Sequence, residues 1–231
     1  MKFIIILLTV FLICSCSSTS PREEPFSVNL NSLRYEAGSV EAYLDNFFSP
    51  VNLKKDNLSK NTVTVYYYPS EDAVCLYFNV MYVRCNQFWD RDGREAFAKA
   101  FERYQEEYEQ RKLAKGRNRT TRGMYGEVPG FFTWKKTDIG IQAHGNPKIK
   151  LGYQFKKQAV FFSTTQMESY YEDPIGRSRN QTSPILAVYF TRAQAESLIT
   201  LFKQENLRSL QLPPGGSGGN GGYIEAETDR Y

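Results

Sequence analysis

The segment from Lys148 to Lys156 constrains the fold more than any other. Ile149, Leu151, Tyr153 and Phe155 alternate with Lys148, Lys150, Gln154 and Lys156. A period of two, apolar on one side and polar on the other, predicts a strand with one face on a core and one in water, as antiparallel sheets allow. Three neighbouring runs are further candidate strands: Phe131–Lys136, Ile139–Ala143 and Ala159–Thr165. His144-Gly145-Asn146-Pro147 supplies a strong turn signal, so the region 131–165 is expected to be an antiparallel meander.

Further strands are expected on both sides of it. Val63, Val65 and Tyr67 alternate with Thr62, Thr64 and Tyr66, and Pro69-Ser70-Glu71-Asp72 then turns the chain. Val74 to Val83 is apolar on both faces and predicts one long central strand, and Ile185–Phe190 predicts another. Two helices stand out. Asp92 and Glu95 have capping-box spacing. Phe97, Phe101, Tyr104 and Tyr108 then form one helical stripe, which Gly116 is expected to end. Thr191 and Gln194 form a second capping box, opening a helix to about Asn206 with Ala195, Leu198, Leu201 and Phe202 inward. A short helix is also expected over Val40–Phe48. The fold class is therefore α+β: an antiparallel sheet of six or seven strands with two main helices packed on it. Phe88-Trp89 and Tyr189-Phe190 each precede a helix, an echo that suggests a pseudo-duplicated strand–helix unit.

Composition bounds this body at both ends. From Ser17 to Pro25 there is no aliphatic or aromatic residue, which predicts a flexible tether. From Pro213 to Gly222 the chain is almost entirely Gly, Ser and Pro, which cannot bury apolar surface, so 213–231 is expected to be a disordered tail. One domain over 26–212 remains. Aromatic residues make up 15% of the chain, enough to build its core from large rings.

Before the tether, Lys2 is followed by an apolar run from Phe3 to Ile13, too short to span a bilayer as a helix. The tetrad Ile13-Cys14-Ser15-Cys16 resembles the lipobox of bacterial lipoproteins: an aliphatic residue, two small residues and the cysteine that is lipidated. Cleavage before Cys14 instead would place Phe11, Leu12 and Ile13 at the cut, where small side chains are needed. The resemblance implies a signal peptide over 1–15, lipid attachment at Cys16 with palmitate among the chains, and export to the cell envelope. Buried acyl carbons each contribute about 0.8 kcal/mol, so several chains make a lasting membrane anchor. Ser17, not Asp, follows the cysteine, which in the enterobacterial pattern implies the outer membrane.

Charge and cysteines exclude other classes. The precursor carries 29 basic and 25 acidic groups. Losing Lys2 with the signal leaves 28 against 25, or +3, too balanced for a nucleic-acid partner. Cys75 and Cys85 lie in one apolar run. In a single strand they would be about 33 Å apart, and a disulfide needs Cα atoms within about 7 Å. Two buried free thiols are expected. No Cys/His spacing suggests a metal site, and no cofactor is implied.

Few residues suggest chemistry. His144 is the only histidine and reads as an exposed turn residue. Glu168 with Glu172 or Asp173 would suit paired-carboxylate catalysis only with a pocket to raise one pKa. No nucleophile elbow is present. Arg111, Lys112, Lys115, Arg117, Arg119 and Arg122 fall within twelve residues with no acidic residue among them. They suit a helix C-terminus followed by a solvated loop, or contact with an anionic lipid or polymer. Phe132, Trp134, Tyr170 and Tyr171 belong to aromatic-rich stretches in which one ring of each adjacent pair must leave the first core face. They are candidates for an exposed aromatic surface. The sequence thus points to a non-catalytic envelope lipoprotein that binds an envelope polymer, an anionic lipid or a membrane protein. An envelope glycan- or peptide-processing enzyme and an accessory subunit of an outer-membrane assembly complex are the competing classes.

Overall fold

A computed structural model describes residues 25–45, 58–80, 83–113, 123–136, 142–156, 159–171 and 181–211. Residues 1–24, where a signal segment, the lipidated Cys16 and a tether are expected, and residues 212–231, where a tail is expected, lie outside the described residues. The strands are β1 (Tyr35–Asp45), β2 (Leu58–Tyr68), β3 (Ala73–Val80), β4 (Val83–Trp89), β5 (Met124–Pro129), β6 (Phe131–Lys136), β7 (Gln142–Gly145), β8 (Lys148–Lys156), β9 (Ala159–Gln166), β10 (Tyr170–Tyr171), β11 (Gln181–Thr182) and β12 (Leu186–Phe190). The helices are α1 (Arg91–Glu109), α2 (Arg192–Phe202) and α3 (Gln204–Ser209).

Ten of the strands form one curled antiparallel sheet in the order β5-β8-β9-β12-β1-β2-β3-β4-β6-β7, while β10 and β11 pair separately. The chain mixes helix and antiparallel sheet as expected, with more strands than the six or seven anticipated. Within 131–166 only β8 comes near the alternation: β6 and β9 are buried on both faces, and Lys156, expected in water, is buried with its Nζ 2.6 Å from Asp45 Oδ2. Nor are these strands one meander: β6–β7 and β8–β9 lie toward opposite ends of the order. The curl explains this. Phe132 faces Gly145 in the β6–β7 ladder and Pro129 faces Lys148 in the β5–β8 ladder, one unbroken register. Between them the Gly130 N–H donates to the Pro147 carbonyl at 3.0 Å. The β5–β6 and β7–β8 runs are therefore two arms of one bent hairpin that belongs to both ends of the sheet and closes it into a ring. Gly130 sits at the corner because a Cβ there would lie 2.6 Å from Ile149 Cδ1. Gly152 is more constrained still, its Cβ position being 2.0 Å from the Gly123 carbonyl oxygen.

The inner face meets the helices. Phe97 and Phe101 of α1 pack on Phe162 of β9, with ring centroids 5.1 and 5.4 Å apart. Trp89, Phe190 and Phe202 surround Phe97. Val40, Ala42 and Leu44 are buried in the same core, which corrects the expected helix over Val40–Phe48. That stretch is β1 as far as Asp45, paired with β2 on one side and β12 on the other, and its inward residues recur at every second position. Residues 46–48 lie outside the described residues.

Other local readings also change. The run Val74–Val83 is not one strand, because β3 ends at Val80 and β4 returns beside it. Cys75 faces Phe88 and Cys85 faces Phe78, so the two cysteines are about 10 Å apart along the ladder. An odd separation puts them on opposite faces, and both are buried and free. The α1 N-cap is Asp90, not Asp92; its side chain accepts from the Gly93 N–H at 2.7 Å. The helix expected to reach Asn206 breaks at Lys203, which is extended, and continues as α3. The Thr191–Gln194 capping box is formed as its spacing predicts.

Candidate functional site

The six-cation segment begins where α1 ends. The last turn of α1 carries Glu106, Glu107 and Glu109 and no basic residue, an unfavourable placement at the negative end of the helix dipole. The helix stops well short of Gly116. Arg111 takes the left-handed conformation, with φ 51°. Its N–H donates to the Tyr108 carbonyl at 3.0 Å, and the Lys112 N–H donates to the Glu107 carbonyl at 2.8 Å. These two bonds make a Schellman cap with arginine where glycine is favoured. Arg111 and Lys112 are exposed. Lys115, Arg117, Arg119 and Arg122 lie outside the described residues.

Beside this cap stand residues that sequence reading missed. The Arg192 guanidinium lies 4.2 Å from the centre of the Tyr108 ring, and that of Arg103 lies 5.1 Å from the centre of Tyr125. The Tyr125 hydroxyl donates to Glu107 Oε2 at 3.0 Å, while Arg103 Nε donates to Glu107 Oε1 at 3.0 Å. Burial, and then donation to the Glu107 carboxylate, push the Tyr125 phenol up from its ordinary value. Arg192 reaches Tyr108 because α2 runs antiparallel to α1, as the bond from Gln105 Nε2 to Glu196 Oε1 (2.5 Å) also shows. The Arg192–Tyr108 contact depends on the packing of the two helices and those of Tyr125 on the packing of β5 against α1; in this set only Arg103 and Glu107, four residues apart on α1, are paired by local spacing.

Two of the aromatic candidates are not on a surface. Phe132 and Trp134 are 0% and 2% exposed and stack on each other inside the ring, with centroids 5.7 Å apart. Their strand neighbour Phe131 takes the outward position, and it too is covered. Phe26 and Val28, in the strap before β1, lie over Phe131, Phe88, Tyr68, Ala73 and Cys75. The outward ring of the Phe161-Phe162 pair packs instead with Tyr43 and Tyr189. Tyr170 and Tyr171 form β10, and their side chains lie outside the described residues.

His144 is on β7 and not in a turn. It is exposed, with its ring 5.8 Å from that of Phe131. Glu168 is exposed just before β10, which lies against β7. Glu172 and Asp173 lie outside the described residues. Among the described residues no group of three or more His, Cys, Asp or Glu side chains could hold a metal ion.

Asp72, in the turn between β2 and β3, has φ 45° and gathers donors from two elements, β2 and α1. Arg94, 3% exposed, donates to its carbonyl at 2.7 Å and to Oδ1 at 3.0 Å. Arg91 Nε donates to Oδ2 at 2.7 Å, and the Tyr67 hydroxyl to Oδ1 at 3.3 Å. Arg94 also donates to Gln204 Oε1 at 3.0 Å, so the turn is tied to the starts of α1 and α3. Burial acts to raise the Asp72 carboxyl, but the hydrogen bonds and charges of Arg94 and Arg91 outweigh it and hold the group below its ordinary value. This arrangement is a structural latch.

A family model described as "Uncharacterised Treponema protein" matches residues 34–209. The chain belongs to this family. The matched range runs from the residue before β1 to the last residue of α3 and so covers the ring and its helices. No curated protein and no solved structure matches the chain. Among the described residues no helix is long and apolar enough to cross a membrane.

Proposed function

We propose that this chain is an exported, non-catalytic envelope protein, lipid-anchored at Cys16, whose domain holds an anionic partner through the basic segment that starts at Arg111. The observation that carries this reading is the end of α1. A residue with a Cβ occupies a left-handed position that glycine fills at lower cost, it is exposed, and it opens a run of six cations. Arg192 and Arg103 add guanidinium groups beside the same cap. The chemistry that fits is a surface of closely spaced phosphates or carboxylates, as an envelope polymer or an anionic headgroup layer presents.

Co-sedimentation of the chain from Ser17 onward with purified cell-wall sacculi and with anionic vesicles tests it. Binding that weakens steeply with salt, and falls when Arg111, Lys112 and Arg117 become Ala, is the expected result; the two arms tell polymer from lipid. No binding to either rejects the reading. An enzyme acting on envelope glycan or peptide is favoured by one observation only, the placement of β10 against the strand that carries His144. Hydrolysis of sacculi that is lost in His144→Ala or Glu168→Gln would establish it in place of the binding role. Capture of one stoichiometric membrane partner would favour an accessory subunit instead.

A further inference from the structure

The strap before β1 carries two exposed leucines on a fixed turn. Its inner side is packed down: Val28 is 6% exposed, Phe26 meets Phe131 with ring centroids 6.5 Å apart, and the Asn146 side-chain amide donates to the Phe26 carbonyl. The turn that follows is held locally and to the sheet. Asn31 N–H donates to Asn29 Oδ1 at 3.1 Å, Ser32 N–H donates to the Asn29 carbonyl at 3.0 Å, and Ser32 Oγ donates to Glu71 Oε1 at 2.8 Å. The Arg34 guanidinium then lies over the Tyr66 ring at 4.4 Å. Leu30 and Leu33 are 38% and 67% exposed. Among the described residues the exposed large hydrophobics are these two, Met124 and Ile185, so half of them sit three residues apart on one turn.

Chain length says what this turn meets. Cys16 and Phe26 are ten residues apart, and such a stretch spans at most about 36 Å in any conformation. A folded body of this size has a radius of gyration of about 16 Å, or about 40 Å across. The side of the domain opposite the strap therefore cannot reach a bilayer that holds Cys16 while Phe26 stays docked. The strap side is kept beside it at high effective concentration.

We propose that the strap face lies on the bilayer to which the chain is anchored, with Leu30 and Leu33 in the headgroup–acyl boundary. The inference rests on the lipid anchor at Cys16. Apolar side chains leave water there without disturbing the fold, because the turn that presents them is already formed. The anchor and the leucine pair then make two contacts that fix the orientation of the domain, leaving α2 on the side of the sheet wall away from the lipid. This apolar contact does not weaken with salt, which separates it from any contact made by the basic segment.

The test uses the full lipidated chain in vesicles, with an environment-sensitive fluorophore on Leu33→Cys or, separately, on Glu196→Cys of α2. Cys75 and Cys85 are buried and stay unlabelled in the folded protein. Lipids bearing a nitroxide on the headgroup should quench the label at 33 several-fold more than the label at 196, and emission at 33 should shift to the blue on vesicle binding. Equal quenching at both positions, in a chain shown to carry palmitate by metabolic labelling, overturns the orientation and leaves the anchor intact. Absence of palmitate overturns the anchor reading, and the orientation with it.

Discussion

Gln87 of β4 and Gln166 of β9 share a hydrogen bond of 3.1 Å inside the ring, although no ladder joins their strands. Gln87 Oε1 also accepts from the Trp89 indole at 3.2 Å, and Gln166 Nε2 donates to the Pro184 carbonyl at 3.4 Å. Both glutamines are buried. Replacing Gln87 by Leu leaves the indole N–H and Gln166 Oε1 without these partners, at a cost of about 1–3 kcal/mol. Urea unfolding should show this loss. The double variant Gln87→Leu with Gln166→Leu should lose less than the sum of the two single losses.

The Asp72 latch makes stability depend on acid. A carboxyl held below its unfolded-state value contributes stability that is fully present above the unfolded pKa and is lost as pH falls through the folded pKa. For Asp72 the loss therefore sets in below about pH 4. Asp72→Asn removes this contribution and leaves the buried Arg94 without its charge partner. The expected loss is about 2 kcal/mol, less than for a fully buried pair because Asp72 keeps some contact with water. Unfolding midpoints from pH 7 down to pH 3 check both effects: the variant should be less stable at neutral pH, and the gap should narrow in acid.

Gly152→Ala places a methyl group 2.0 Å from the Gly123 carbonyl oxygen, a backbone atom that moves only if β8 and the entry to β5 separate. The expected loss is about 1–3 kcal/mol, read as a lower midpoint in thermal unfolding. Gly126→Ala is the control, because nothing lies within 4 Å of its Cβ position.

Burial pushes the Cys75 thiol far above its ordinary value and the Cys85 thiol up to about 12. Neither should react with an aromatic disulfide reagent at pH 8 in the folded protein, and both should react in denaturant. The two differ in what covers them. Phe26→Ala loosens the strap, so it should speed labelling at Cys75 while Cys85, in the main core, keeps its protection.

Arg111→Gly separates folding from binding. Relief of the left-handed arginine, offset in part by the greater freedom of glycine in the unfolded chain, should stabilise the domain by about 0.5–1 kcal/mol. The same change should weaken salt-sensitive binding to anionic vesicles or sacculi. Binding as strong as that of the parent chain contradicts the assignment of Arg111 to the contact surface.

The legible parts of the fold are those set by neighbours in the chain. The alternation from Ile149 to Phe155 marks β8, the Phe97–Tyr104 stripe marks the buried face of α1, and Thr191 with Gln194 marks the start of α2. Local pattern misleads where distant residues decide. Tyr43, Leu44 and Phe47 fall on one side of a short helix by spacing, yet strands on both sides hold Val40, Ala42 and Leu44 as β1. Phe132 and Trp134 suit a surface if the sheet is flat and has a second open face; a ring turns that pair inward and a strap covers Phe131. The basic segment is plain in the sequence, whereas Arg192 and Tyr108 meet only because two helices pack antiparallel.

The bent hairpin also governs how the chain reaches this structure. Its arms bond to β4 through β6 and to β9 through β8, partners on either side of it in sequence, and the circuit between them runs through β12 and β1, so the ring cannot close until nearly the whole domain has been delivered. Contacts of such long sequence separation make for slow folding. Once closed, the order of described strands ends on two short ones, β5 and β7 of six and four residues, so edge-to-edge aggregation is chiefly a hazard of the interval before closure.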